Sequence, residues 1–158
     1  MPDYGFRPAL RGDLRMLAGW LGDPRVARWW PDADRQLALV AEDLDNPAMA
    51  QLVVLREGVP VAYAQHYPVH EWPAPHFAGL PPDAVAIDVF SAPEGFGHGG
   101  AWLRALGDLL LRQAPVLVID PDPENTRAIR AYEKAGFAGA GIRIDGEGRP
   151  VRVMTRLR

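Results

Sequence analysis

Residues Asp120–Phe137 read D-P-D-P-E-N-T-R-A-I-R-A-Y-E-K-A-G-F. The stretch begins where the apolar run Val116-Leu117-Val118-Ile119 ends, and it continues as a helical pattern that stops at Gly136. A short apolar run that hands over to a helix reads as a buried strand followed by its helix. Asn125, Ala128 and Tyr132 recur at helical spacing, which puts an amide, a small residue and a phenol on one face. The strand delivers the carboxylate of Asp120 to the same end. A helix that only packs would carry Leu or Ile at those positions. This face is suited to holding a long polar ligand and donating a proton to it.

Upstream, Trp102, Leu103, Leu106, Leu109 and Leu110 form the stripe of an amphipathic helix. The cluster Pro93-Glu94-Gly95-Phe96-Gly97-His98-Gly99-Gly100-Ala101 precedes it. Glycines between a strand and a helix let backbone N–H groups converge on an anion. No G-K-[ST] follows, so the loop is not a P-loop. Val85–Phe90 reads as the strand before it, with Asp88 as an unusual carboxylate in an apolar run. Gln51–Arg56 and Val59–Tyr67 read as strands joined at Glu57-Gly58, and Tyr63 and Gln65 share a strand face. The segment Pro68–Pro82 holds five of the sixteen prolines and is expected to have no element of its own. His66 and His70 have helical metal-ligand spacing, but Pro68 keeps them extended, so no metal is expected.

Near the N-terminus, Tyr4–Pro8 reads as an edge strand. Leu14, Leu17, Ala18 and Leu21 read as a helix capped by Asp13. Asp23-Pro24 starts a short helix expected to carry Trp29 and Trp30. Leu37, Val40, Ala41 and Leu44 give a third helix. The C-terminal region reads as a hairpin, Ile142–Ile144 and Val151–Leu157. The expected fold is α/β of the α+β kind, a mixed sheet with helices on both faces rather than a doubly wound dinucleotide fold.

With 158 residues and 48% hydrophobic content, residues 1–158 are expected to form a single domain. The net charge of -3, without a basic block, speaks against nucleic acid and leaves room for a cationic substrate. The chain has no cysteine, which excludes a thiol nucleophile, a disulfide frame and a thiolate metal site. No signal-peptide pattern and no membrane-length apolar run are present, so the expected location is the cytoplasm.

These pieces together resemble the GCN5-related N-acetyltransferases (GNAT), and within them the aminoglycoside 6′-N-acetyltransferases and their siderophore-type relatives. The resemblance rests on Arg28-Trp29-Trp30, Gly58–Gln65, Ile87-Asp88, the glycine loop and, most specifically, Asp120–Phe137. It implies a mostly antiparallel central sheet with a splayed strand pair that admits acetyl-CoA as co-substrate, without a metal. Backbone groups of Val89 and Phe90 would pair with the pantetheine arm. Gly97, His98, Gly99, Gly100 and Ala101 would hold the pyrophosphate. Asn125 would hydrogen-bond the cofactor arm with Ala128 also at the cofactor, and Tyr132 would sit beside the sulfur and protonate the departing thiolate. Asp88 would receive the amine proton, directly or through water. Trp30, Tyr63, Gln65, Asp88 and Asp120 would meet the acceptor, a small cationic amine with an aminoglycoside 6′-amine as first choice.

The family loop, R/Q-x-x-G-x-G/A, is altered here. One register begins at Phe96 with Gly99 and Ala101, the other at Glu94 with Gly97 and Gly99, and neither supplies Arg or Gln. His98 stands where Lys or Arg is common. The alternatives are acylation of a lysine- or hydroxylysine-type amine in siderophore metabolism, and a non-catalytic acyl-CoA sensor. The protein is expected to be a monomer or a homodimer, with neither nucleic acid nor membrane as partner.

Overall fold

The computed structural model describes residues 2–158. Seven strands follow one another in a sheet in the order β1-β2-β3-β4-β5-β7-β6. They are β1 Tyr4–Pro8, β2 Ala50–Arg56, β3 Val59–Pro68, β4 Val85–Ser91, β5 Val116–Ile119, β6 Ala138–Ile144 and β7 Pro150–Leu157. The helices are α1 Leu14–Leu21, α2 Pro24–Ala27, α3 Ala33–Asp43, α4 Gly99–Leu110 and α5 Thr126–Lys134. The sheet is mixed, as the order of strands and helices predicts, and mostly antiparallel, as the family resemblance implies. No helix among the described residues is long and apolar enough to cross a membrane.

The chain divides into two compact units. The first runs to Gln65 and takes in Val89–Phe96, and the second is His66–Asp88 with Gly97–Arg158. Strands β3 and β4 therefore contribute residues to both.

In the first unit, β1 and β2 pair antiparallel, with Phe6 opposite Val54. Glu57 and Gly58 both have positive φ, 50° and 79°. Such a two-residue turn matches the twist of the strands it joins and fixes the β2–β3 register. The core gathers Leu17, Trp20 and Leu21 of α1, Val26, Val40, Val53, Tyr63 and Phe90. Gly95 lies against β3 so closely that a Cβ there would collide with the Val61 carbonyl oxygen. That same carbonyl accepts a hydrogen bond from the Ala92 N–H at 2.8 Å.

Two local expectations need correction here. Asp13 does occupy the N-cap position of α1, yet its side chain does not cap. Both its oxygens lie 2.8 Å from the Arg7 guanidinium, and one also accepts from the Leu10 N–H. The paired guanidinium holds the carboxyl below its usual range. Trp29 and Trp30 lie beyond α2, in a turn where both N–H groups donate to the Val26 carbonyl at 3.0 and 2.9 Å. Pro31 follows, and the residue before proline is driven out of the helical region.

In the second unit, β4 and β5 are parallel, and α4 supplies the crossover that parallel neighbours require. Strand β7 pairs antiparallel with both β5 and β6. Trp102, Leu103 and Leu106 of α4 are buried, as are Leu117, Val118, Phe137 and Met154. Residues 68–82 depart from the expectation of a loop without elements. They contain two single 3-10 turns, Val69–Glu71 and Pro75–Phe77. Proline at the start of the second turn pre-sets φ for it.

Candidate active site

The ladder between β4 and β5 pairs Val85 with Leu117 and Ala86 with Val118. Strand β4 continues to Ser91, while β5 stops at Ile119. The two strands thus diverge after Ala86, just before Ile87-Asp88. Asp88 follows on β4, and Asp120 follows the last residue of β5; both are half-buried.

The second unit brings Asp88, Asp120 and Tyr132 together with two residues not anticipated from sequence, Tyr67 and His76. The Tyr67 phenol is buried and donates to the Asp88 carboxylate. Burial comes first among the causes that push this phenol far above the ordinary 10.0, and the negative charges of Asp88 and Asp120 add to it. Tyr132 on α5 is also pushed well above 10.0 by burial, then by Asp120 and Asp88. Both phenols remain protonated donors facing two carboxylates. His76 is buried in the Pro75–Phe77 turn, and its Nε2 lies 2.7 Å from Asp120 Oδ2.

Signals for these two residues differ in kind. The alternation that singles out Tyr63 and Gln65 on β3 reaches Tyr67 one step further along the same strand. His76 carries no comparable signal, because it pairs with a residue 44 positions away and nothing in local spacing records that approach.

Asn125 is the N-cap of α5 rather than a residue of its face, and its Oδ1 accepts from the Ala128 N–H at 3.2 Å. Its amide nitrogen is the group that can reach another acceptor. Ala128 and Tyr132 follow on the helix, both half-buried.

The start of α4 has the chemistry of an anion site. Gly97 has φ 95°, His98 is the N-cap with no side-chain cap, and no acid lies in the first turn. The N–H groups of Ala101 and Trp102 turn back to the His98 carbonyl at 3.2 and 3.4 Å. Those of Gly99 and Gly100 have no intrahelical acceptor by position. This donor set, at the positive end of a twelve-residue helix, fits a pyrophosphate. Gly100 has a packing reason too: a Cβ there would sit 3.0 Å from the Lys134 Cβ and 3.2 Å from the Ala131 carbonyl oxygen of α5. Ala101 is exposed.

The remaining candidates lie in the first unit. Tyr63 is fully buried in the core. Its ring stacks on Phe90 at 4.9 Å, and its hydroxyl donates to Gln65 Oε1 at 2.7 Å. Trp30, half-buried, meets Phe90 edge-on at 5.1 Å. The Phe90 side chain belongs to the core, and Val89 beside it is half-buried. Glu94 is exposed in its own 3-10 turn, and the Arg25 guanidinium lies 4.2 Å over the Phe96 ring. Among the described residues no group of three His, Cys, Asp or Glu is placed to hold a metal ion.

Residues 9–143 match the family described as an acetyltransferase (GNAT) domain. The chain belongs to the GNAT acetyltransferases. An aminoglycoside N(6′)-acetyltransferase type 1 from Klebsiella pneumoniae is 34% identical to it over 92% of this chain and 79% of that protein. A kanamycin resistance protein from Rhizobium radiobacter is 46% identical over 40% of this chain and 60% of its own length. Among solved structures, AAC(6′)-Ib in complex with paromomycin and acetyl-CoA superposes with a TM-score of 0.84 at 30% identity, covering 99% of this chain and 94% of that one. As a GNAT acetyltransferase without cysteine, this chain supplies no thiol for an acyl-enzyme.

Proposed function

We propose that this GNAT acetyltransferase moves an acetyl group from acetyl-CoA to the 6′-amine of an aminoglycoside. The observation that carries the reading is the pair Asp88 and Asp120, two carboxylates held beside the protonated phenols of Tyr67 and Tyr132. A polycationic amino sugar is the natural complement of such a pair. The relatives named above support both the donor and the acceptor.

In the mechanism we propose, an acceptor ammonium binds at the carboxylates. Asp88, directly or through water, takes its proton, because only the free amine can attack a thioester. The nitrogen bonds to the thioester carbon, and backbone donors along β4 stabilise the oxyanion. The C–S bond then breaks, Tyr132 supplies a proton to the thiolate, and the second proton leaving the new amide nitrogen returns through water to restore the phenol. A cation bound at Asp88 and Asp120 offsets the two charges that raise the Tyr132 pKa, so acceptor binding makes the phenol a better acid. The glycine-rich start of α4 would hold the pyrophosphate of acetyl-CoA, and Asn125 its arm; acetyl-CoA itself supplies the activated acyl group.

Thiol release from acetyl-CoA tests this, with kanamycin- and gentamicin-type aminoglycosides, polyamines and lysine-type amines as acceptors. The expected result is release that depends on an aminoglycoside, with a 6′-N-acetylated product by mass spectrometry. Release with lysine- or hydroxylysine-type amines alone would replace the aminoglycoside with a siderophore-type acceptor. Binding of acetyl-CoA without turnover would make the protein a sensor.

A further inference from the structure

His76 is 6% exposed, and neither the proton transfer nor the cofactor site needs it. Its Nε2 lies 2.7 Å from Asp120 Oδ2, and its Nδ1 is buried with no hydrogen-bond partner among the described residues. A cationic imidazole would bury a second N–H donor without an acceptor at Nδ1. A neutral ring with its proton on Nε2 leaves only a lone pair there, which is the less costly arrangement. The proton is therefore assigned to Nε2, which donates to Asp120 Oδ2.

The donor is itself held in place. Phe77 N–H bonds back to Ala74 O at 3.0 Å to close the turn, and the His76 ring lies 4.2 Å from the Phe77 ring. Arg143 on β6 reaches over and donates from Nη1 to the carbonyls of His76 and Ala78, at 3.2 and 2.6 Å. A proline-rich segment has been made into a fixed mount for one imidazole.

We propose that His76 is a positioning residue that fixes Asp120 Oδ2 through its Nε2–H and so presents the other carboxylate oxygen to an ammonium group of the acceptor. A carboxylate locked before binding loses less freedom when the cation arrives, and the gain appears in acceptor affinity. This rests on the reading of Asp120 as an acceptor-binding residue. It predicts an effect confined to the acceptor, since His76 touches no group assigned to acetyl-CoA.

The test compares His76→Leu, which fills similar space without a donor, with His76→Gln, which keeps an N–H. The readouts are KM for kanamycin, KM for acetyl-CoA, kcat, and kanamycin affinity by calorimetry. For His76→Leu we expect kanamycin KM and Kd to rise about tenfold, the scale of a lost hydrogen bond to a charged group. Its acetyl-CoA KM and thermal unfolding should stay near wild type, and His76→Gln should recover most of the loss. Unchanged kanamycin KM in both variants overturns the proposal. So does an equal rise of both KM values in both variants with a lowered Tm, which would make His76 a packing residue. A wild-type protein that acetylates no amine of the panel overturns the acetyl-transfer reading as well, a result distinct from active enzyme indifferent to His76.

Discussion

A single hydroxyl separates Tyr132 from phenylalanine, and the proposed proton donation depends on it. Tyr132→Phe should lower kcat about a hundredfold, the lower end of what a positioned acid contributes. Initial rates of thiol release read this, with acetyl-CoA KM little changed. The same chemistry has a signature in stability. Both Tyr67 and Tyr132 have folded-state pKa values above the ordinary 10.0. Their contribution is complete below the unfolded value and is lost as pH rises toward the folded one, because only the unfolded phenols ionise in that window. Above about pH 10, denaturant-derived stability should fall by about 1.4 kcal/mol per pH unit for each phenol. Tyr67→Phe should remove one phenol's share of the slope. At this scale the sequence exposes residues that are odd where they stand, such as Asp88 in an apolar strand. Alternation along β3 puts Tyr67 on the face of Tyr63 and Gln65 without naming Asp88 as its partner, and nothing in local spacing records that His76 meets Asp120.

Helix α5 has one residue with two separable duties. Asn125 caps the helix with its Oδ1, while the proposed contact to the cofactor arm uses its Nδ2. Asn125→Asp keeps an acceptor for the cap and removes the amide donor, so it should raise acetyl-CoA KM with little change in Tm. Asn125→Ala loses both and should also cost about 1 kcal/mol of stability. Equal Tm values for the two variants would show that the cap contributes nothing. In the first unit, Gly95→Ala should destabilise by about 2 kcal/mol or more, because the new methyl meets backbone rather than a yielding side chain; denaturant melts check it. Elements were the most legible level of this chain. The strand Val116–Ile119 and the helix after it announce themselves by a change of period, and Glu57-Gly58 by turn chemistry. The 3-10 turns within residues 68–82 were not legible, since each is a single turn with too few residues to display a period.

Across the molecule, charge is the property that sequence states outright, and its net value is -3. What it withholds is where the carboxylates gather. With Asp88 and Asp120 together, attraction for a cationic acceptor should be screened by salt. Raising ionic strength from about 0.05 to 0.5 M, where the Debye length falls by about threefold, should raise aminoglycoside KM several-fold, as steady-state kinetics would show. The mixed sheet was predictable because strand and helix periods alternate in order. The early divergence of β4 from β5 was implied by the family resemblance alone and by no periodicity, because it is set by where pairing stops. One last feature ties distant stretches together. Arg156 on β7 donates to the Arg104 carbonyl and pairs with Asp108, both on α4. Its side chain fills the space that a Cβ at Gly107 or Gly136 would need. Gly107 is therefore not free to drift by itself. A methyl at Gly107 meets the end of a flexible side chain rather than backbone. Gly107→Ala should thus displace the Arg156 guanidinium at a small cost in Tm that vanishes beside Arg156→Ala. The effect of a change at either position then depends on which residue already stands at the other.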